Sequence, residues 1–232
     1  MKIAEILIES HQDPINFAGQ YPSIETIDED KSLVNYNYKK ANKLHDTTKI
    51  DPKQKNLTNT LLNHTIHSRN VNDFLHKHYS NQPNNAKNIA YYKKHIGLLD
   101  KLLVNHKLSI PITVYTGIPQ SPEVAWKKYK VDRKKPIRLH LPAFTSTTTS
   151  LNIAKSFANL HSTDKNKHIL MITIPAGTPG GSVTKFSQYP GEGEILLPRG
   201  LDIEVNPKPV IIKDNVYVWH TKVIGHNPIE IT

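Results

Sequence analysis

The chain has 232 residues, enough for one sizeable domain and short for two. Thirty Lys+Arg against 20 Asp+Glu give a net charge of +10. That favours anionic partners such as nucleic acid, a dinucleotide or an acidic protein, although with no run of five like charges a merely solvated basic surface reads equally well. The absence of cysteine excludes disulfides and thiolate zinc sites, and no apolar stretch approaches the roughly 20 residues that a membrane-spanning helix needs.

Residues 1–25 read as a leader or tail, and 26–232 as one domain with a helical lead-in (26–108) and a β-rich core (109–232). At the start, Ile3, Ile6 and Leu7 share one face of a short helix, without the apolar block of a signal peptide. Asp13-Pro14, Gly19 and Tyr21-Pro22 then interrupt regular structure. Asp28, Glu29 and Asp30 suit the positive end of a helix running toward His45. Further helices are expected over 56–68 (Leu57, Leu61, Leu62 and Ile66 aligned), from about 72 (Phe74, Leu75, His78) and over 86–105, where Tyr92, Ile96, Leu99 and Leu103 recur at helical spacing.

From Ser109 the period becomes alternating. Residues 112–115 form a strand candidate, followed by a turn at Gly117-Ile118-Pro119. Ser121-Pro122 starts a helix that reaches about Tyr129. Strands follow at 136–141, 144–148, 168–174, 195–197, 201–205, 210–212 and 216–220, with a helix over 151–160 and a glycine-rich loop over 175–181. Helices first and strands later is the α+β pattern, with the helices packed on the later sheet.

Three patches carry chemistry. They are Val114-Tyr115-Thr116-Gly117, Phe144-Thr145-Ser146-Thr147-Thr148, and Glu192-Gly193-Glu194 leading into Ile195-Leu196-Leu197-Pro198-Arg199-Gly200. Glu192 and Glu194 stand two apart where a loop meets a strand, so both point the same way. Neighbouring carboxylates repel, which raises one pKa and suits a site where one acid faces positive charge and the other handles a proton. Alone, each patch also has a plain reading: exposed glutamates beside a turn, and hydroxyls on a strand that cap the next helix.

Together and in this order, the patches resemble the arginine–serine–glutamate (E-x-E) group of ADP-ribosyltransferases. That signature is an aromatic-Arg-Gly strand end, an F-x-S-T-S/T strand before a helix carrying Ala and Phe (here Ala154 and Phe157), and E-x-E before an apolar strand. The resemblance implies the α+β ADP-ribosyltransferase fold, helices on a split antiparallel β core, and NAD⁺ as co-substrate. It implies that Glu194 holds the nicotinamide-ribose 2′-hydroxyl and stabilises the oxocarbenium ion, much as carboxylates do in glycoside cleavage. Glu192 would engage the incoming guanidinium, an acid here going with arginine targets. Ser146 would orient Glu194, and Tyr115, Thr116, Gly117, Thr147 and Thr148 would line the dinucleotide site. The loop around Gln188 and Tyr189 would meet the target.

One position departs from the pattern. The family's arginine should follow Tyr115, yet Thr116 stands there, and a threonine hydroxyl cannot replace a forked cation. An inactivating substitution, naturally weakened NAD⁺ binding and rescue by another cation such as Arg138 all remain open. The stretch 194–201 is similar to head-packaged ADP-ribosyltransferases of large tailed phages, which implies a virion protein acting on host proteins, RNA polymerase among them. In that setting Leu7-Ile8-Glu9 matches a maturation-cleavage motif, though an ordinary helix start fits as well. Secreted binary-toxin components are the other branch. The histidines, spaced i and i+2 on helices, offer no metal site, and neither a P-loop nor a G-x-G-x-x-G is present. The competing functions are an arginine-directed transferase, an inactive binding module of the same fold, and a nucleic-acid modifier or binder suggested by the charge.

Overall fold

The computed structural model describes residues 55–80, 89–161, 166–183 and 192–231. The helices expected over 1–9 and 28–45, the cleavage motif at Glu9, and Gln188 and Tyr189 lie outside these residues.

Helix α1 (Lys55–Tyr79) is continuous, where the sequence suggested two helices separated near 68–72. The segment Ser68-Arg69-Asn70-Val71-Asn72 holds no Gly or Pro to stop a helix. Val71, Phe74 and Leu75 also carry on the buried stripe begun at Leu61. Helix α2 (Ile89–Asn105) buries His95, Ile96, Leu99, Leu102 and Leu103, one face at i, i+3 and i+4 spacing. The two helices share a core with Phe144, Val183 and Leu196.

The strands are β1 (Ile112–Ile118), β2 (Ile137–Leu141), β3 (Thr145–Thr148), β4 (Lys167–Ile174), β5 (Gly181–Ser182), β6 (Glu194–Leu197), β7 (Leu201–Val205), β8 (Val210–Ile212) and β9 (Val216–His226). Between them stand α3 (Glu123–Lys128) and α4 (Leu151–His161). They form one nine-stranded sheet in the order β2-β7-β9-β4-β1-β3-β6-β5, with β8 beside β9. Every pair is antiparallel except β4–β9, which runs parallel, so the sheet is mixed rather than wholly antiparallel.

Period-two alternation divides the sheet's residues between cores. On β4, Leu170, Ile172 and Ile174 join the core that contains Trp126 and Trp219, while Ile169 and Met171 face Ala154 and Ala158 of α4. β1 runs on through Gly117, which the sequence placed in a turn. A Cβ at Gly117 would sit 2.5 Å from the Ala158 nitrogen and 2.8 Å from the Ala154 oxygen. The glycine is therefore what lets the backbone of α4 lie directly on β1.

Arg199 ties the helices to the sheet. It is 8% exposed, and its Nε donates to both Asp100 carboxylate oxygens on α2 at 3.0 and 2.9 Å, with Nη2 at 2.7 Å from Oδ2. Its Nη1 donates to the Ile229 carbonyl. The forked geometry suits a guanidinium on a carboxylate.

His64 is the least compensated group in the helical core. It is fully buried against His95 (ring centroids 5.8 Å) and the edge of Phe144 (5.4 Å). Neither ring nitrogen has a hydrogen-bond partner among the described residues. Burial, with His95 adding to it, lowers its pKa to about 3. A lowered folded-state pKa means that the unfolded chain takes up the proton first. Stability is therefore complete above the ordinary value of 6.5 and falls as pH drops from there toward 3. The variant His64→Leu is expected to lose less melting temperature between pH 7 and pH 4.5 than the native chain does. Parallel losses in both, measured by circular dichroism, would exclude this role.

Candidate active site

The register of β3 and β6 builds the site. Thr148 lies opposite Glu194 and Ser146 opposite Leu196. Opposed residues share a face, so Ser146, Thr148 and Glu194 project together, with Ser146 diagonal to Glu194. Thr147 and Ile195 take the other face. Thr147 Oγ1 donates to the Ile195 carbonyl at 2.7 Å, which makes it a strand fastener rather than a wall of the cleft.

The entry of β6 is fixed by hydroxyls. Thr148 Oγ1 donates to the Glu192 carbonyl at 2.5 Å and accepts from the Ser150 N–H at 3.0 Å. The Glu194 carbonyl accepts from the Val183 N–H at 3.1 Å and the Ser182 hydroxyl at 3.3 Å. Gly193 takes φ 56° between the two acids, a left-handed turn that a side chain would strain. It brings Glu192 round toward Glu194 as the strand begins.

Glu194 is 8% exposed. Burial raises its pKa, a hydrogen bond from Ser146 opposes that shift, and the nearby charge of Glu192 adds to it. Glu192 is half-buried, and burial raises its pKa as well. Ser146 itself is exposed, so the buried carboxylate it contacts lies next to solvent. Two acids of unequal burial beside one hydroxyl can hold a cation and take up a proton.

The β1 residues divide. The Thr116 hydroxyl donates to the Ser146 backbone carbonyl at 3.1 Å and so joins β1 to β3. Tyr115 is 3% exposed and packs with Leu151 and Ala154 in the core beneath α4. Gly117 is the close contact to α4. Arg138 is no substitute for the missing arginine. It stands on β2, separated from β3 by four strands in the sheet order, and pairs with Glu204 at 3.9 Å. Among the described residues no group of three or more metal-ligating side chains gathers.

The profile of the ADP-ribosyltransferase exoenzyme family matches residues 34–224. The chain belongs to that family. Its acidic pair thus lies in an ADP-ribosyltransferase, a transferase family in which NAD use is implied. Among solved structures it is similar to Plx2a, an ADP-ribosyltransferase toxin from Paenibacillus larvae, with TM-score 0.61, 20% identity, 84% of this chain and 96% of that one covered. C3stau2 from S. aureus, solved with NAD, has TM-score 0.60, 16% identity and coverage of 82% and 95%. The Vibrio splendidus ADP-ribosyltransferase Vis, solved with agmatine, has TM-score 0.58, 17% identity and coverage of 90% and 91%. At these identities the likeness is one of fold. No curated protein sequence matches the chain.

The buried Glu194 costs the fold stability when ionised. Its raised folded-state pKa makes that cost absent below the ordinary value of 4.5 and complete once pH has risen through the folded-state value. Glu194→Gln is therefore expected to melt above the native chain at pH 8 and to lose that advantage near pH 4. An advantage that does not change with pH, seen by calorimetry, would mean that Glu194 is not desolvated.

Proposed function

We propose that this ADP-ribosyltransferase moves ADP-ribose from NAD⁺ to arginine side chains of target proteins, with Glu194, Glu192 and Ser146 as the working groups. The observation that carries the reading is the buried carboxylate of Glu194, hydrogen-bonded by Ser146 and followed at short range by a second acid. In this reading Glu194 accepts the 2′-hydroxyl of the nicotinamide ribose. The bond from C1′ to nicotinamide breaks, its electron pair leaves with nicotinamide, and the buried charge steadies the oxocarbenium ion. A guanidinium nitrogen then bonds to C1′, and its displaced proton passes to Glu192.

Two relatives support the substrates. C3stau2 is solved with NAD. Vis is solved with agmatine, whose guanidinium is the group that an arginine target presents. An acid rather than glutamine at position 192 points the same way, through the E-x-E resemblance. Plx2a and Vis are named as toxins, which fits targets in another cell, whether the protein arrives from a virion or as a secreted component.

Thr116 favours a weakened enzyme. Its hydroxyl is already spent on the Ser146 carbonyl and brings no charge to a pyrophosphate. A neutral hydrogen bond contributes about 1 kcal/mol, and one to an ionised group about 1.5–3 kcal/mol. Thr116→Arg is therefore expected to tighten NAD⁺ about tenfold by calorimetry. In the Thr116→Arg background, Glu194→Gln should cut nicotinamide release about 100-fold or more. Glu192→Gln should retain NAD⁺ hydrolysis while losing transfer to agmatine. No nicotinamide release from either the native chain or Thr116→Arg would leave an inactive binding module of this fold.

A further inference from the structure

The net charge is not spread evenly. Between Glu123 and Arg138 stand seven Lys+Arg and two acids, half of the chain's excess of +10. Six of these cations, Lys127, Lys128, Lys130, Arg133, Lys134 and Lys135, are exposed on the end of α3 and the turn that follows it. Among the described residues no carboxylate lies within ion-pair distance of any of the six.

The turn that displays them is held firmly. Trp126, 2% exposed in the sheet core, donates its indole N–H to the Lys135 carbonyl at 3.2 Å and accepts at its own carbonyl from the Val131 N–H at 3.2 Å. Asp132, one of the two acids, is used within the turn. Its Oδ1 accepts from the Lys134 N–H at 2.9 Å, and its carbonyl from the Lys135 N–H at 3.0 Å. Lys130 holds φ 54°, the reversal that ends the helix. Rigid backbone therefore carries mobile cationic ends.

A cavity of about 260 Å³ adjoins this turn, three residues along the chain at Arg138. Its wall includes Arg138, Asp202, and the rings of Tyr79 and His140, stacked at 4.8 Å and 16°. His140 is 9% exposed, its Nδ1 lies 2.6 Å from Asp202 Oδ1, and its Nε2 is buried with no hydrogen-bond partner among the described residues. A space of this size admits a fragment such as one nucleobase and no duplex.

We propose that the basic turn and this cavity form a docking site for single-stranded nucleic acid, with phosphates on the six cations and one base in the cavity. Five of the six cations are lysine, a residue that protein–protein interfaces lose and phosphate contacts use. Within 123–135 the one exposed large apolar side chain is Val124, so the patch has no apolar wedge for a membrane. An aromatic wall suits a splayed-out base. The site shares no residue with the acidic pair. It stands independently of the transfer reaction and would hold the transferase beside a substrate that carries nucleic acid.

Fluorescence anisotropy of the whole chain with a labelled 20-nucleotide single-stranded RNA, between 50 and 200 mM salt, tests this. Six contacts at about 0.7 each predict that log K falls against log salt with a slope of about −4. Replacing the six cations with Gln should remove most of that slope and weaken binding at 50 mM salt at least 100-fold, with NAD⁺ hydrolysis unchanged. A strand containing abasic positions should bind about tenfold more weakly than the intact strand. An unchanged slope in the six-Gln protein would overturn the site. So would equal affinity for duplex DNA, equal affinity for the abasic strand, or binding only to phosphatidylserine vesicles.

Discussion

The site depends on keeping one carboxylate out of water. Glu194 opens β6 at a point where the Phe144–Leu196 core lies beneath the strand and Ser146 lies diagonally across it. Burial works against the ionised form, and the serine hydroxyl works for it. The result is a charge that is poorly solvated but not orphaned, ready to gain from a cation that arrives beside it. Moving the register by one residue would turn Glu194 to the opposite face and replace it with Ile195. The Thr148–Glu192 and Thr147–Ile195 hydrogen bonds hold that register from both faces.

The rest of the fold keeps these few residues in place. α4 lies on β1 because Gly117 allows backbone to touch backbone. The helical pair presses on Phe144 and Leu196, and Asn72 Nδ2 donates to the Phe144 carbonyl at 3.0 Å, two residues before the catalytic candidate Ser146. Arg199 completes the frame by gripping Asp100 just after the strand that carries Glu194. A buried ion pair of this kind yields little net stability but penalises any arrangement that parts it, so it fixes where α2 sits.

Much of this was legible in the sequence. Strand starts followed the alternation of apolar residues, but β1 runs on to Ile118 and β9 to His226, beyond the ends expected at 115 and 220, because pairing with β4 and β7 carries them past the apolar run. The acidic pair stood out by its spacing, but only the order of all three patches gave it a chemical reading. Other features depended on contacts between distant parts of the chain. The polar run at 68–72 looked like a break, yet Val71 and Phe74 keep α1 whole through packing against α2. Gly117 looked like a turn because the chain does not reveal that α4 will lie on it. Arg199 appeared only near the end of the third patch, and its partner Asp100 stands 99 residues earlier. Tyr115 was read as a ligand contact, whereas the structure packs it in the core. The basic turn was visible only as net charge, because its display depends on how Trp126 anchors Lys135.

Position 116 separates this chain from the pattern it otherwise follows. The threonine keeps the β1–β3 link that the cleft needs and omits the cation, so geometry and affinity are decoupled at that point. The chemistry of the cleft rests finally on the state of Glu194, and carbon-13 NMR titration of its labelled side-chain carboxyl reads that state directly. Its midpoint should lie above 4.5, the ordinary glutamate value, and should rise further in Ser146→Ala, where the opposing hydrogen bond is lost. A midpoint at the ordinary value, unmoved by loss of the serine hydroxyl, would mean that no desolvated, serine-held carboxylate exists here.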